Sequence, residues 1–427
     1  MSMKQSKSQF VFKKSSFILG FLLFSLLIDI LNGFLVAKFS LQTPISQVYK
    51  LLILAFFLYS YTIKEYKESY FIITLLFFLV FTISTITINF NSILFNTNIF
   101  SDLIYSLKTL SLIIVYFGAV NIVKHYQISE ENILMIYKII FYVIFVSLIL
   151  SIFGYGETQY GENSDGQAFG YKGYFFAGNE LTSLFSLSYV FTLYSVISYQ
   201  PRYYKTVTCT IIAIVCAMLL ATKTAMLSYV IITLLLPVLL VKKLKINKMY
   251  NSLNNIKLFY ISFIPLFSIA LMLLYDRILI IIERLSFLFT QQGESFTGFL
   301  LSGRASRYES LYNIYNQMNV VDALFGIGRE SYVNFTYGIH LRFSAEMDLF
   351  DSLFAHGIIG TLMMYSFWCY LLLRAFKLYR TTHDTIIVPQ MLITTLLFFN
   401  SFIAGHIFAA SMVMIFYGFS TAKSLNK

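Results

Sequence analysis

The residues best able to do chemistry are concentrated in one polar stretch of this 427-residue sequence, from Arg284 to Asp351. It ends in the acidic segment GluMetAspLeuPheAsp at 346–351, with His340 shortly before it and His356 shortly after it. A carboxylate or an imidazole in this position can act as a general base that takes a proton from an acceptor hydroxyl. Structural explanations are also available. Carboxylates at the start of a helix complement its dipole, and the glycines after His356 suggest close helix packing.

An arginine lies earlier in the same stretch, in SerGlyArg at 302–304. Ser306 and Glu309 have the spacing of a capping box, and the residues that follow at helical spacing are Tyr308, Leu311, Tyr312 and Tyr315. The sequence therefore predicts an amphipathic helix. Arg304 beside its N-terminus can bind an anion together with the backbone amides, and a diphosphate is the obvious anion at a lipid surface. A lipid headgroup or a loop carboxylate would satisfy the same arginine.

The elements that must hold these residues are membrane helices. Hydrophobic residues make up 58% of the chain, its mean hydropathy is +0.73, and charged residues are 12%. Soluble domains have roughly 25% charged residues. Apolar runs recur that can cross a hydrocarbon core of about 30 Å as helices of about 20 residues. A β-barrel is disfavoured because the runs do not alternate. We predict an all-α integral membrane protein, one polytopic domain over 1–427, with the polar stretch in a loop at 282–352.

Twelve spans are predicted, and lysine and arginine indicate their orientation. The spans are 16–35, 48–63, 70–88, 103–123, 133–153, 175–198, 207–221, 225–241, 259–281, 353–373, 386–402 and 407–421. Basic residues gather at the N-terminus and in alternate connections, which is typical of the cytoplasmic side. Both termini are thus expected in the cytoplasm and the loop at 282–352, between the ninth and tenth spans, outside it. The net charge of +11 is then mostly a topology signal, and no nucleic-acid partner is expected.

Other common kinds of site are not indicated by the sequence. The three cysteines, Cys209, Cys216 and Cys369, fall inside apolar spans and have neither a disulfide framework nor metal-ligand spacing. The sequence has no Walker-type phosphate loop, so ATP hydrolysis is not expected.

A lysine lies at the predicted outer turn between the seventh and eighth spans. From Cys209 to Val241 the sequence is almost entirely apolar except for AlaThrLysThrAla at 221–225, and both flanks are basic. The chain must therefore cross twice, which places Lys223 at or just under the outer boundary. Lysines near helix ends often extend to the interface without any further role. Anion binding at this turn is the functional interpretation.

In order and spacing, these segments resemble the superfamily of O-antigen ligases and polysaccharide polymerases, the Wzy and WaaL type of bacterial envelope proteins. SerGlyArg at 302–304, AlaLeuPheGlyIleGly at 323–328 and HisGlyIleIleGly at 356–360 are similar to its loop motif. AlaThrLysThrAlaMetLeu at 221–227 is similar to its basic motif at an outer turn. PheAlaGlyAsnGluLeu at 176–181 is similar to a segment that opens the sixth span in many of the polymerases.

The resemblance implies a metal-independent, inverting glycosyltransferase of the bacterial cytoplasmic (inner) membrane. Such proteins transfer a glycan from undecaprenyl diphosphate to an acceptor hydroxyl at the outer face, without a nucleotide sugar or other cofactor. The residues implied for the diphosphate are Arg304, Arg307 and Lys223, and those implied for the glycan or lipid are Asn179, Glu180 and Asp351. The chain has Lys223 where arginine is usual, so a bidentate contact becomes a point charge. The base stays open among His340, Glu346 and Asp348.

The acidic GluMetAsp form resembles the polymerases of capsules and O-antigens more than the ligases. Ligases carry a histidine in this part of the loop, commonly followed by asparagine, whereas this chain has HisLeuArgPhe at 340–343. We therefore expect a polymerase, with O-antigen ligase as the alternative. The expected partners are an undecaprenyl-diphosphate-linked oligosaccharide, membrane lipid, a flippase and a chain-length regulator.

Two other classes of membrane protein also have many membrane spans. A lipid-linked oligosaccharide flippase needs no long outer loop with clustered acids and bases. A proton-coupled transporter needs ionisable residues deep within spans, where Asp29 is the clearest acidic candidate.

Overall fold

The computed structural model describes the chain as a bundle of helices. It covers residues 2–41, 43–62, 68–91, 99–159, 170–175, 177–199, 201–273, 311–312, 315–316, 318–338, 347–403 and 405–425. The first nine helices are α1 Ser2–Phe39, α2 Ile45–Tyr59, α3 Glu68–Asn91, α4 Ile99–His125, α5 Glu130–Ile152, α6 Gly178–Ser198, α7 Tyr203–Leu220, α8 Lys223–Ile246 and α9 Tyr250–Leu273. Five more follow: α10 Val320–Phe325, α11 Arg329–Gly338, α12 Asp348–Thr381, α13 Ile387–Ile403 and α14 Ser411–Leu425.

Smaller elements complete the described part of the chain. A 3₁₀ turn, Ser60–Thr62, extends α2. The connection from α5 to α6 holds an antiparallel pair of short strands, β1 Glu157–Thr158 and β2 Tyr171–Gly173.

The all-helical membrane class is confirmed. Eight helices of the described chain are long and apolar enough to cross a membrane, and the shorter apolar helices 68–83 and 387–403 accompany them. Each of the twelve predicted spans overlaps one of α1–α9 or α12–α14. Several of these helices are shorter than the roughly 20 residues that a full crossing needs, so twelve crossings stay a prediction.

Helix α6 lies at the centre of the bundle. Every residue from Leu181 to Ser198 is buried, although this helix is rich in serine and threonine. Some of its hydroxyls bond carbonyls of their own helix, as Ser186 does to Thr182 O at 3.0 Å and Ser188 to Phe185 O at 3.0 Å. Small polar residues also let neighbouring helices approach closely in a membrane bundle. Large apolar side chains such as Leu234 and Val238 of α8 face outward instead.

Helices α6, α8 and α14, which overlap the sixth, eighth and twelfth predicted spans, begin at the same end of the bundle. This end is here called the site end. The hydroxyl of Thr182, in the first turn of α6, lies 3.2 Å from that of Thr222, which caps α8. Glu180 accepts from Met412 N–H at the start of α14 at 2.9 Å. Helices α6, α8 and α14 therefore begin side by side.

The opposite end carries basic connections at 242–248 and 374–380 and is here called the basic end. Tyr199, after α6, donates to Glu130 at the start of α5 at 2.7 Å. Asn247, after α8, donates to His383 O beyond α12 at 2.9 Å. Helix α5 thus runs opposite to α6, and α8 and α12 end at the same end of the bundle.

Cysteine labelling in intact cells tests which membrane face each end meets. In a variant without Cys209, Cys216 and Cys369, we expect Tyr155→Cys, beyond α5 at the site end, to react with a membrane-impermeant maleimide. Arg202→Cys, at the basic end, should react only after the membrane is permeabilised, because basic connections stay in the cytoplasm. Both native side chains are exposed, so access to the reagent is matched. The reverse labelling pattern would overturn the predicted orientation.

Candidate functional site

Two glycine segments that are far apart in sequence touch at the site end. Gly326 and Gly328, between α10 and α11, have φ of +88° and +80°, and Gly357 kinks α12 with φ of +65°. A Cβ on Gly326 would lie 2.6 Å from Gly357 N, and a Cβ on Gly357 would lie 2.5 Å from Gly326 N. Ile327 N–H donates to Phe354 O at 2.8 Å. Glycine on both sides is what allows the two backbones to meet.

Arg329 follows these glycines directly and begins α11. Its guanidinium carbon lies 5.2 Å from the centre of the Tyr105 ring and 5.7 Å from that of Tyr332, within cation–π range. Burial lowers the pKa of Arg329, but the surrounding acidic groups, Asp351 and Asp102 among them, outweigh it and raise that pKa above its usual value. Arg329 is therefore a permanent cation in a largely buried position.

Two carboxylates dock α11 onto the membrane bundle. Asp102, in the first turn of α4, accepts from Glu330 N–H at 2.9 Å through Oδ1. Asp351, in the first turn of α12, accepts from the Tyr332 hydroxyl at 2.9 Å. The Tyr332 ring also stacks on Phe354, with 4.8 Å between centroids. The polar loop is thus fixed to α4 on one side and to α12 on the other.

Asp348 holds a different connection. Its Oδ2 accepts from Ile407 N–H at 2.8 Å and from Phe408 N–H at 3.2 Å, in the connection between α13 and α14. Gly405 and His406 both have φ of +61°, so successive left-handed residues turn their amides toward one anion. Asp348 and Asp351 share the first turn of α12, but their carboxylates serve separate contacts. The geometry thus gives Asp348, one of the predicted bases, a structural task.

His356 is buried among aromatic rings. It stacks on Tyr105 with 5.4 Å between centroids, and Phe81 of α3 lies 4.4 Å away. His356 Nε2 and Asp102 Oδ2 are both buried and have no hydrogen-bond partner within the described part of the chain. Unsatisfied buried groups of this kind are rare in native interiors.

A second charged cluster lies between α1, α2 and α6. Lys50 Nζ is 2.9 Å from Asp29 Oδ2 and 4.0 Å from Glu180 Oε1, and the Ser46 hydroxyl donates to Asp29. Lys108 of α4 lies within electrostatic range of this cluster and also of Arg329. Asp29, the acidic candidate for a transporter, is therefore paired. Sequence reasoning missed Lys50, although a lysine inside a predicted span is itself a signal.

The turn at Lys223 has the predicted shape. Helix α7 ends in Ala221, which has φ of +51°, and Thr222 caps α8 by accepting from Ala225 N–H at 3.1 Å. Lys223 is half-buried, and Asn179 is half-buried in the adjoining first turn of α6. The Thr182–Thr222 contact joins these two turns. Lys223, Asn179 and Glu180 therefore lie in two adjoining helix starts at the site end.

Four predicted site residues lie outside the described residues: Arg304, Arg307, His340 and Glu346. Part of the predicted amphipathic helix is described, and residues 311, 312, 315 and 316 are helical. Leu311 is buried against Tyr332 and Phe354, whereas Tyr312 is 51% exposed. The described turn thus has one buried and one exposed face.

Comparison with known proteins gives one match. The model of the family described as "O-antigen ligase like membrane protein" matches residues 286–425, about the C-terminal third of the chain. The matched range includes both glycine segments, Arg329 and the last three helices. No curated protein and no solved structure matches the chain.

The contact between the glycine segments generates a stability prediction. Gly357→Ala should lower the free energy of unfolding by about 1–3 kcal/mol or more, because a side chain there meets both a left-handed φ and the Gly326 backbone. The matched control is Gly20→Ala in α1, where a Cβ meets nothing within 4 Å. Thermal unfolding of the purified proteins in detergent measures both. Equal melting temperatures would contradict the contact.

Proposed function

We propose that this chain, a member of the superfamily of O-antigen ligases and polysaccharide polymerases, polymerises the repeat units of a bacterial O-antigen or capsule. It transfers the growing glycan from undecaprenyl diphosphate to a sugar hydroxyl of the next lipid-linked unit. The observation that carries the proposal is the contact between Gly326 and Gly357. This contact joins the polar loop to the acidic start of α12 inside the matched family region.

The leaving group in this reaction is a lipid diphosphate, whose negative charge grows as the glycosidic bond breaks. Cations fixed in advance around developing charge are often the largest catalytic contribution. We assign this role to Arg304, Arg307 and Lys223. The position of Lys223 at the start of α8 supports the assignment, because the positive end of the helix dipole adds to the ammonium charge.

The acceptor hydroxyl must lose its proton as its oxygen attacks the anomeric carbon. Asp348 and Asp351 already accept hydrogen bonds from protein groups. Glu346 directly precedes Met347, the N-cap residue of α12, in the sequence. We therefore propose Glu346 as the general base, in preference to His340 and Asp348. The proton passes to the Glu346 carboxylate, and the electron pair of the breaking bond leaves on the diphosphate.

Three residues were expected to contact the glycan or lipid, and two of them have partners within the protein. Glu180 contacts Lys50 and Met412 N–H, and Asp351 accepts from Tyr332. Asn179 is half-buried at the site end, beside the turn that carries Lys223. We keep Asn179 as the contact to glycan or lipid. The site end is proposed to face the periplasm or cell exterior, since the basic connections at 242–248 and 374–380 lie at the other end.

A reconstituted assay separates polymerase from ligase. Purified protein in proteoliposomes, given only the undecaprenyl-diphosphate-linked repeat unit, should produce a ladder of longer lipid-linked glycans, read by electrophoresis or mass spectrometry. The ladder requires no other acceptor, because the repeat unit is both donor and acceptor. A product that forms only when a separate acceptor such as a lipid A core is supplied would reassign the chain as a ligase.

Arg304→Ala should abolish either product, and an unchanged ladder would refute the assigned role of Arg304.

The choice of base is tested by two amide substitutions. Glu346→Gln should reduce turnover by about 10²–10⁴-fold at normal thermal stability, because the proton acceptor is lost. Asp348→Asn should instead lower stability by about 1–3 kcal/mol, since an amide NH₂ group replaces one of the two oxygens that can accept from the backbone donors, while the folded fraction stays active. A stable but inactive Asp348→Asn, with active Glu346→Gln, would assign the base to Asp348.

A further inference from the structure

A lysine lies inside a predicted membrane span near the basic end. Lys138 comes eight residues after Glu130, the first residue of α5, and so lies about 12 Å along the helix axis at 1.5 Å per residue. It falls within the predicted span 133–153, and it is half-buried. A charged side chain within a span is costly, so its position requires an explanation.

Helix α7 brings a second lysine to the same place. Helices α5 and α7 pack against each other, and the Cys209 thiol of α7 lies within electrostatic range of Lys138 and Tyr142. Lys205 lies one turn before Cys209 and therefore on the same face of α7. Side chains tilt toward the N-terminus of their helix. Because α5 begins at the basic end, the Lys138 side chain extends toward the level of Lys205.

The strongest charge acting on Lys138 has the same sign. It is the ammonium group of Lys205, and the exposed carboxylate of Glu131 acts more weakly. Within the described part of the chain, no carboxylate lies within ion-pair distance of Lys138. Two cations that are partly removed from water repel each other and lose hydration. An anion supplied from outside the protein would stabilise both of them.

The face of α5 that carries Lys138 is open to the membrane. Met135 and Tyr142, three residues before Lys138 and four after it, are 60% and 45% exposed. On α7, Tyr204 is 56% exposed beside Lys205, and tyrosine is enriched where a helix meets the membrane boundary. An anion can therefore reach the two lysines from the bilayer while its hydrocarbon chains stay in lipid.

We propose that Lys138 and Lys205 bind the phosphate group of an anionic phospholipid in the leaflet at the basic end. Basic pockets between helices on the cytoplasmic side of a membrane suit such headgroups. A zwitterionic headgroup suits the site less, because its own ammonium group meets the two lysines. The bound phosphate offsets the repulsion and holds α5 against α7. This site lies at the opposite end of the bundle from the candidate site and does not depend on the proposed function.

Native mass spectrometry of the delipidated protein in detergent tests the site. The protein is titrated with phosphatidylglycerol, with phosphatidylethanolamine or with soluble glycerol 3-phosphate. We expect Lys138→Gln to weaken the first phosphatidylglycerol binding step about fivefold, roughly the contribution of one lysine near a membrane surface. The matched control is Lys257→Gln, which should bind like the wild type. Lys257 is an exposed lysine at a similar depth, seven residues after the start of α9 at Tyr250.

Thermal unfolding separates lipid binding from an ordinary structural role of Lys138. Without lipid, Lys138→Gln should melt no lower than the wild type, because the substitution removes a repelling charge from the span. With phosphatidylglycerol, the wild type and Lys138→Arg should gain more stability than Lys138→Gln, since only a bound ligand stabilises the folded state. A lower melting temperature of lipid-free Lys138→Gln would assign this lysine a structural role and overturn the proposal.

Three binding results would also overturn the proposal. The first is equal affinity of the wild type and Lys138→Gln for phosphatidylglycerol, and the second is an equal loss of affinity in Lys257→Gln. The third is binding of phosphatidylethanolamine or glycerol 3-phosphate as tightly as phosphatidylglycerol, which would show that neither the net charge nor the lipid chains are recognised.

Discussion

The contact between the backbones at Gly326 and Gly357 is the constraint on which the rest of the site depends. Neither position has room for a Cβ, and both have a φ that favours glycine. The contact fixes the start of α11 next to the start of α12. Arg329 reaches Tyr105 and Tyr332 because α11 begins where this contact places it. Helix α11, a described part of the polar segment 282–352, is thereby held against α4 and α12.

Buried carboxylates complete this arrangement in a recurring way. Glu180, Asp102 and Asp348 each accept from backbone N–H groups at or just before the start of another helix. The first amides of a helix have no partner within it, and in a membrane they cannot rely on water. A carboxylate from a neighbouring helix satisfies them and also complements the helix dipole. These side chains therefore have a structural function before any catalytic one.

The sequence predicted the features that depend on local pattern. Apolar runs gave the helices, and the short polar interruption at 221–225 gave the turn at Lys223. Contacts between segments that are far apart in the sequence could not be predicted from local pattern. No spacing rule links Glu180 to Met412 or Asp102 to Glu330, because these partners are more than 200 residues apart. Asp348 and Asp351 show the same limit, since their spacing predicts a shared face but cannot name two different partners.

Helix α6 can carry many polar side chains because it is surrounded by protein and not by lipid. Its serines and threonines would be unfavourable in a helix that faces lipid, but every residue from Leu181 to Ser198 is buried within the protein. A segment of this kind enters a bilayer less readily than its more apolar neighbours. It becomes stable in the membrane only when helices such as α5 and α8 pack around it. The order in which the helices assemble is therefore constrained by the least apolar part of the core.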